Sequence, residues 1–160
     1  MGKKLRELAG KGGVDLKDLI ADLNKAYCDE WLAFYAYTYM AQTVSGAGYE
    51  DMEEFLKKTA ADELEHQSEL ADMIVKLGGT PVVNFNEIEK GANYPYPMPP
   101  QKTDDYARMI ELVMDAEGKA IDVYTKIARK TFGKEDVVYQ LVTHILGEEV
   151  THEERFENLK

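Results

Sequence analysis

Apolar residues recur every three or four positions through most of this 160-residue chain, which is the pattern of amphipathic helices. Glycines interrupt the pattern and divide it into long segments. The predicted helices cover about residues 15–45, 49–77, 103–132 and 134–160. Asp15 and Thr103 are the candidate caps of the first and third helices, since their side chains can accept a hydrogen bond from a first-turn amide. The chain is therefore predicted to be all-α.

The connection between the second and third helices is long and contains all five prolines, at positions 81, 95, 97, 99 and 100. Residues 78–102 can span the roughly 40 Å length of a helix of about 27 residues. The other two connections are short and force antiparallel neighbours, so the second and third helices should lie parallel. Residues 83–89 are expected to form a short strand or a helical turn. The predicted architecture is a four-helix bundle with one long crossover.

The composition indicates a single domain covering residues 1–160, because 44% hydrophobic residues can build one core in a chain of this length. No apolar run approaches the roughly 18 residues of a spanning helix, and the N-terminus MGKKLRELAGKGG is too polar for a secretory signal. We therefore expect a cytoplasmic protein without a membrane partner. Residues 1–14 are expected to form a flexible basic tail.

The chain is acidic, with 19 basic and 30 acidic side chains and a formal net charge of −11. This balance argues against nucleic-acid binding, except for weak contact of the basic tail with DNA phosphates, and favours the attraction of cations. Cys28 is the single cysteine, so one chain can form neither an internal disulfide nor a cysteine-based zinc or iron–sulfur site. We expect Cys28 to be a small buried thiol.

Each predicted helix carries an acidic residue in the middle of its apolar stripe. The side chains that this pattern directs into the core are Glu30, Glu63, His66, Glu117, Glu149 and His152. Burying unpaired carboxylates costs several kcal/mol, and no Lys or Arg shares the four stripes. Two divalent ions would balance the four carboxylates, and neutral imidazoles would complete their coordination. The pattern therefore predicts a two-metal site inside the bundle.

The spacing of these residues supports the metal site. Glu63 and His66, like Glu149 and His152, form a Glu-x-x-His motif, and residues three apart on a helix can reach one small site. One such motif in an acidic chain is weak evidence. Two in register, joined by one buried Glu from each of the other helices, match the constellation of di-iron and di-manganese carboxylate proteins. These ligands suit iron, manganese and zinc alike, so they do not determine which metal binds.

The segments DEWLAFYAY, DELEHQSELADMIVKLGGTP, DAEGKAIDVYTKI and GEEVTHEERF resemble bacterioferritins and the bacterioferritin-like, Dps-like ferritins. The resemblance covers most of residues 15–157 and implies a ferritin-like fold that binds two iron ions per subunit. It also implies that Glu63 and Glu149 bridge the two ions. Each ion would be completed by one Glu and one His, namely Glu30 with His66 and Glu117 with His152.

Further positions refine this resemblance. Tyr37 resembles the family tyrosine beside the ferroxidase centre. The alternative interpretation of Tyr37 is a core aromatic residue whose hydroxyl forms a hydrogen bond with a ligand carboxylate. Leu64 stands where bacterioferritins have a haem-ligating Met, which argues against haem at that site. We expect no counterpart of the short fifth helix of the larger ferritin cages, so the expected homo-oligomer is a Dps-like dodecameric cage or a dimer. His144 lies off the metal-facing stripe and is given no role.

These features predict a di-iron ferroxidase that oxidises Fe(II) with O2 or H2O2 for iron storage, detoxification and protection against oxidative stress. A first alternative is a peroxide-scavenging enzyme similar to rubrerythrin or manganese catalase. Against rubrerythrin, the chain has no Cys-x-x-Cys module, and the extra acid expected one turn beyond Glu117 is replaced by Ala120 and Ile121. A second alternative is a non-enzymatic DNA-binding or structural assembly module.

Overall fold

The computed structural model describes residues 3–160 and contains six helices in this range. The helices are α1 (Lys3–Lys11), α2 (Leu16–Thr43), α3 (Tyr49–Lys76), α4 (Phe85–Gly91), α5 (Tyr106–Thr131) and α6 (Asp136–Glu157). The four predicted bundle helices are α2, α3, α5 and α6, and their bounds lie within a few residues of the predicted ones. Within residues 3–160, no helix is long and apolar enough to cross a membrane.

Local chemistry explains where α2 and α3 begin. Asp15 caps α2 as predicted, because its side chain accepts a hydrogen bond from the amide of Asp18 at 3.0 Å. Gly48 precedes α3 with a φ of 74°, a left-handed conformation that glycine adopts without steric cost. The short turn between these two helices makes them antiparallel neighbours.

The beginning of α5 lies beside the end of α2. The amide of Ser45 donates to the carbonyl of Thr103 at 2.9 Å, and the hydroxyl of Tyr106 donates to the carbonyl of Ser45 at 2.6 Å. Helix α5 therefore starts at the same end of the bundle as α3 and runs parallel to it, as predicted. The predicted cap of this helix was wrong: Asp105 caps α5, whereas the hydroxyl of Thr103 lies 2.8 Å from that of Ser45.

The crossover between α3 and α5 packs along α2. The side chain of Asn24 accepts a hydrogen bond from the amide of Val82 at 3.0 Å. Asp29, which is 2% exposed, accepts one from the amide of Asn93 at 2.7 Å and another from its Nδ2 at 2.6 Å. Helix α4 lies between these two attachments and confirms the helical alternative for this region. The crossover is thus held to the bundle at two points.

Helix α1 occupies residues that the hydrophobic pattern left in a flexible tail. Met1 and Gly2 of that tail lie outside the described residues. Leu5 packs against the buried core, and Lys11 lies in the last turn, where a positive charge is favourable. A helix of nine residues is too short to be stable alone. Its formation therefore depends on packing, which sequence periodicity does not reveal.

Two apolar clusters fill the bundle, one towards each end. The first cluster includes Leu23, Leu70, Ile74, Ile127 and Ile145, and the second includes Met40, Leu56, Met109, Val113 and Phe156. Along α3, α5 and α6, the residues between the two clusters include buried acids and histidines. The fold therefore places a polar layer in the middle of an apolar bundle.

Candidate metal centre

The six predicted ligand side chains meet in this polar layer, and none is more than 2% exposed. They form two overlapping groups, and within each group the ligand atoms all lie within 4.8 Å of one another. One group contains Glu30, Glu63, His66 and Glu149, and the other contains Glu63, Glu117, Glu149 and His152. Glu63 and Glu149 belong to both groups, so they lie between two adjacent positions for an ion.

His66 directs one ring nitrogen into the first group and the other away from it. Its Nδ1 lies 3.0 Å from Glu149 Oε1, 3.4 Å from Glu63 Oε2 and 3.9 Å from Glu30 Oε2. Its Nε2 lies 2.7 Å from Glu148 Oε2. A carboxylate on the outer nitrogen holds the ring in place and leaves the inner nitrogen free to bind a metal.

His152 has the same arrangement in the second group. Its Nδ1 lies 3.3 Å from Glu117 Oε2, 3.4 Å from Glu63 Oε1 and 3.7 Å from Glu149 Oε2. Its Nε2 lies 3.1 Å from Asp62 Oδ2. Both histidines therefore present Nδ1 to the centre and Nε2 to an outer carboxylate.

The two carboxylates that contact the Nε2 atoms each belong to a different helix from the histidine that they contact. Asp62 precedes the Glu-x-x-His motif of α3 but contacts the histidine of α6, whereas Glu148 precedes the motif of α6 but contacts the histidine of α3. The sequence interpretation missed both residues. The sequence does show an acid immediately before each Glu-x-x-His motif. Which histidine that acid contacts depends on how α3 packs against α6.

Two tyrosines likewise donate hydrogen bonds to carboxylates on another helix. Tyr37 donates a hydrogen bond to Glu117 Oε1 at 2.5 Å, and Tyr124 donates one to Glu30. Each tyrosine follows a ligand Glu by seven residues on its own helix and bonds the Glu of the other helix. Tyr37 therefore lies beside the centre with its hydroxyl on a ligand carboxylate. Tyr124, which was not predicted to have a role, has the equivalent position.

Several polar atoms of the centre have no hydrogen-bond partner although they are buried. They are Glu63 Oε1, His66 Nδ1 and Glu149 Oε1. His66 Nδ1 and Glu149 Oε1 are only 3.0 Å apart, but their orientation does not satisfy either atom. Buried polar atoms without partners are rare because each costs free energy. Oxygen and imidazole donors that converge in this way fit divalent metal ions.

Without a metal, the histidines of the centre are strongly basic. Burial alone would lower the pKa of His66, but the three carboxylates around it outweigh burial and raise the pKa far above its ordinary value of 6.5. The carboxylates around His152 raise its pKa in the same way. The metal-free centre therefore favours protonated imidazoles that partly balance the buried acids.

The carboxylates divide into two pairs. Burial raises the pKa of Glu30 and Glu117 well above 4.5, and the neighbouring carboxylates raise both further. Burial also acts to raise the pKa of Glu63 and Glu149, but contacts with the two histidines outweigh it and lower both. Protons therefore bind more readily to Glu30 and Glu117 than to the two shared acids. Because protons compete with metal ions for these oxygens, metal affinity should increase with pH.

Other residues singled out from the sequence lie away from the centre. Cys28 is fully buried, as predicted, and burial together with the charge of Asp29 raises the pKa of its thiol to about 11. Leu64 is 41% exposed. The side chain of His144 is 53% exposed, consistent with its position off the metal-facing stripe.

Comparison with known families decides what kind of protein carries this centre. A family model described as a ferritin-like domain matches residues 20–159. The chain belongs to the ferritin-like domain family. It is 30% identical over 154 residues to the DNA protection during starvation protein of Pyrococcus furiosus, covering 96% of this chain and 83% of that protein. The predicted ferritin-like fold and the resemblance to Dps-like relatives are confirmed.

Solved structures of similar proteins agree with this assignment. A dodecameric thioferritin, the bacterioferritin-related protein of Bacteroides fragilis, has 32% identity and a TM-score of 0.91, covering 99% of this chain and 92% of that one. A ferritin-like, diiron-carboxylate protein of Bacillus anthracis has 27% identity and a TM-score of 0.76, covering 91% of this chain and 96% of that one. Dps of Thermosynechococcus elongatus, at 16% identity and a TM-score of 0.83, shares the fold over 90% of this chain and 91% of its own.

Proposed function

We propose that this chain is a ferroxidase that oxidises Fe(II) at a di-iron centre, for iron storage, detoxification and protection against oxidative stress. The proposal is carried by the two buried, overlapping ligand groups that share Glu63 and Glu149. Four carboxylates can balance two Fe(II) ions, and the imidazole nitrogens complete each group. Manganese and zinc also suit such ligands, so iron as the native metal is part of the proposal.

The proposed reaction transfers two electrons from two Fe(II) ions to one oxidant. With two protons, H2O2 becomes two water molecules; alternatively O2 becomes H2O2. Glu63 and Glu149 would hold both ions at once, and carboxylate oxygens can bind Fe(II) and Fe(III) without changing partners. Tyr37 would orient Glu117, and Tyr124 would orient Glu30, by the hydrogen bonds that they already donate.

Replacing one shared acid tests the proposal. Glu149→Ala should abolish rapid Fe(II) oxidation, measured as the rise of Fe(III) absorbance in stopped-flow after mixing with O2 or H2O2. Glu154→Ala, at an exposed position of the same helix, is the matched control and should retain the wild-type rate. Circular dichroism should show that both variants remain helical. Wild-type oxidation kinetics in Glu149→Ala would refute the proposal.

The peroxide-scavenging alternative uses the same ligands and needs a separate assay. Protein loaded with Mn(II) is mixed with H2O2, and the evolution of O2 is followed with an oxygen electrode. If the chain is a ferroxidase, we expect no catalytic release of O2 from the manganese form. Repeated turnover of H2O2 by the manganese form, with no iron consumed, would favour a catalase function instead.

We further propose that the chain forms a homo-oligomer, since the Bacteroides fragilis relative is described as dodecameric. The name of the Pyrococcus furiosus relative refers to DNA protection. With a net charge of −11, we expect such protection here to come from removal of Fe(II) and oxidant, without a stable DNA complex. Size-exclusion mass and gel shifts at stated salt, with and without residues 1–13, test both points.

A further inference from the structure

A group of side chains outside the centre has the composition of a metal site. His144 Nε2 lies 3.7 Å from Glu148 Oε2 and 4.0 Å from Glu69 Oε2. We call these three residues the outer cluster. His144 and Glu148 belong to α6 and Glu69 to α3, so the cluster joins two helices of the bundle at their surface.

The electrostatics of the outer cluster favour a cation. Among residues 3–160, neither Glu69 nor Glu148 has an ion pair with a Lys or Arg; their charged neighbours are histidines. Glu69 Oε2 is also inaccessible to solvent and lacks a hydrogen-bond partner. A buried carboxylate oxygen without a donor is costly, and it faces the exposed imidazole of His144. An ion between them would satisfy this oxygen.

The outer cluster also contacts the buried centre. Glu148 Oε2, which faces His144, lies 2.7 Å from Nε2 of His66, and the opposite nitrogen of that ring faces the centre. One carboxylate therefore links an exposed histidine to a buried one. The side chains of His144, Glu148 and Glu69 are 53%, 45% and 34% exposed, so they can close to the roughly 2 Å distances of metal–ligand bonds.

We propose that His144, Glu69 and Glu148 bind a divalent transition-metal ion at the surface and pass it to the buried centre. Imidazole and carboxylate donors suit Fe(II), Mn(II), Co(II) and Zn(II). The binding of an ion at the outer cluster is independent of the proposed ferroxidase function, whereas its role in loading the centre rests on that function.

Cobalt binding measures the site directly. Wild type and His144→Ala are dialysed to equilibrium against saturating Co(II) in the same buffer. His144→Ala should bind one ion fewer per chain, while Glu154→Gln, at an exposed position of the same helix, should match wild type. In stopped-flow experiments His144→Ala should also fill the buried centre more slowly. Equal stoichiometry in wild type and His144→Ala would overturn the site, and equal filling rates would overturn the transfer.

A centre-disabled variant separates this proposal from the proposed function. Glu63→Ala/Glu149→Ala should still bind one Co(II), and adding His144→Ala should remove it. If the double variant binds as many ions as wild type, the proposed centre fails, although the loss caused by His144→Ala would still establish the outer cluster. If the double variant does not fold, the comparison of wild type with His144→Ala still decides.

Discussion

The centre consists of two half-sites that share Glu63 and Glu149. The first half-site contains Glu30 and His66, with Tyr124 and Glu148 as their outer partners, and the second contains Glu117 and His152, with Tyr37 and Asp62. Their construction is nearly the same: a tyrosine on the single Glu, and an acid on the outer nitrogen of the histidine. The bundle therefore gives the two ligand groups the same kinds of hydrogen-bond partner.

The half-sites differ in what surrounds them. Asp29, next to Glu30, holds the crossover through Asn93, whereas the residue next to Glu117 is Ala116. The outer acids differ too, because Glu148 is 45% exposed and faces His144, while Asp62 is 31% exposed. The first half-site is therefore coupled to the crossover and to the surface, and the second mainly to the bundle.

The largest expected effect distinguishes shared from unshared acids. Glu63→Ala should abolish binding of both ions, because Glu63 belongs to both ligand groups, whereas Glu30→Ala should remove or weaken only one. Isothermal titration with Co(II) gives the number of ions bound by each variant. If both variants lose the same number of ions, Glu63 is not shared as the geometry indicates.

A smaller effect is expected from the outer acids. Asp62→Ala and Glu148→Ala should each weaken metal binding by about 10- to 100-fold, because the histidine loses the group that orients it. We expect the greater loss for Asp62→Ala, since water more readily replaces the more exposed Glu148. Competition titrations with a chelator measure both constants, with Glu154→Ala as the control. Wild-type affinity in both variants would show that the outer acids do not position the rings.

The attachment of the crossover should affect stability. Asn93→Ala removes the hydrogen bond that Nδ2 of Asn93 donates to buried Asp29, keeps the one from the backbone amide, and should reduce the free energy of unfolding by about 1–3 kcal/mol. Urea denaturation measures the change, and Asn86→Ala, at an exposed position of the same crossover, should be near neutral. Equal stability of the two variants would mean that Asp29 finds other donors.

The smallest effect concerns pH and the metal-free protein. Within the centre, the groups whose pKa lies above its ordinary value are Glu30, His66, Glu117 and His152, and burial raises the pKa of nearby Asp29 to about 7. The folded chain therefore binds more protons than the unfolded chain between about pH 5 and pH 8, and stability should fall as pH rises through this window. The pKa of Glu63 and of Glu149 is lowered, so their contribution is lost only below the ordinary value of 4.5.

Thermal melts of the metal-free protein across this window test the sign. The Tm should decrease by several degrees, whereas the metal-loaded protein, in which ions have displaced the protons, should not show this decrease. A metal-free Tm that increases from pH 5 to pH 8 would contradict the assignment of protons to the centre.

The sequence predicted the helices and the six candidate ligands because both follow from periodicity. Glu63 and His66 share a stripe with apolar neighbours, so their direction into the core could be derived from one helix alone. The same reasoning failed for Thr103, because capping depends on which side chain the turn places at the amide, and it failed for α1, because that helix depends on contact with the core. Asp62 and Glu148 could not be assigned either, since each faces a residue of another helix.

The sequence by itself determined which residues lie in the core and how far along each helix they lie, since these properties depend on local repeats and on the cost of burying charge. Only the tertiary structure decided which atoms face one another. The crossed contacts of Tyr37, Tyr124, Asp62 and Glu148 join helices that are far apart in the chain. Such contacts depend on the rotation and depth of packed helices, and no single helix carries that information.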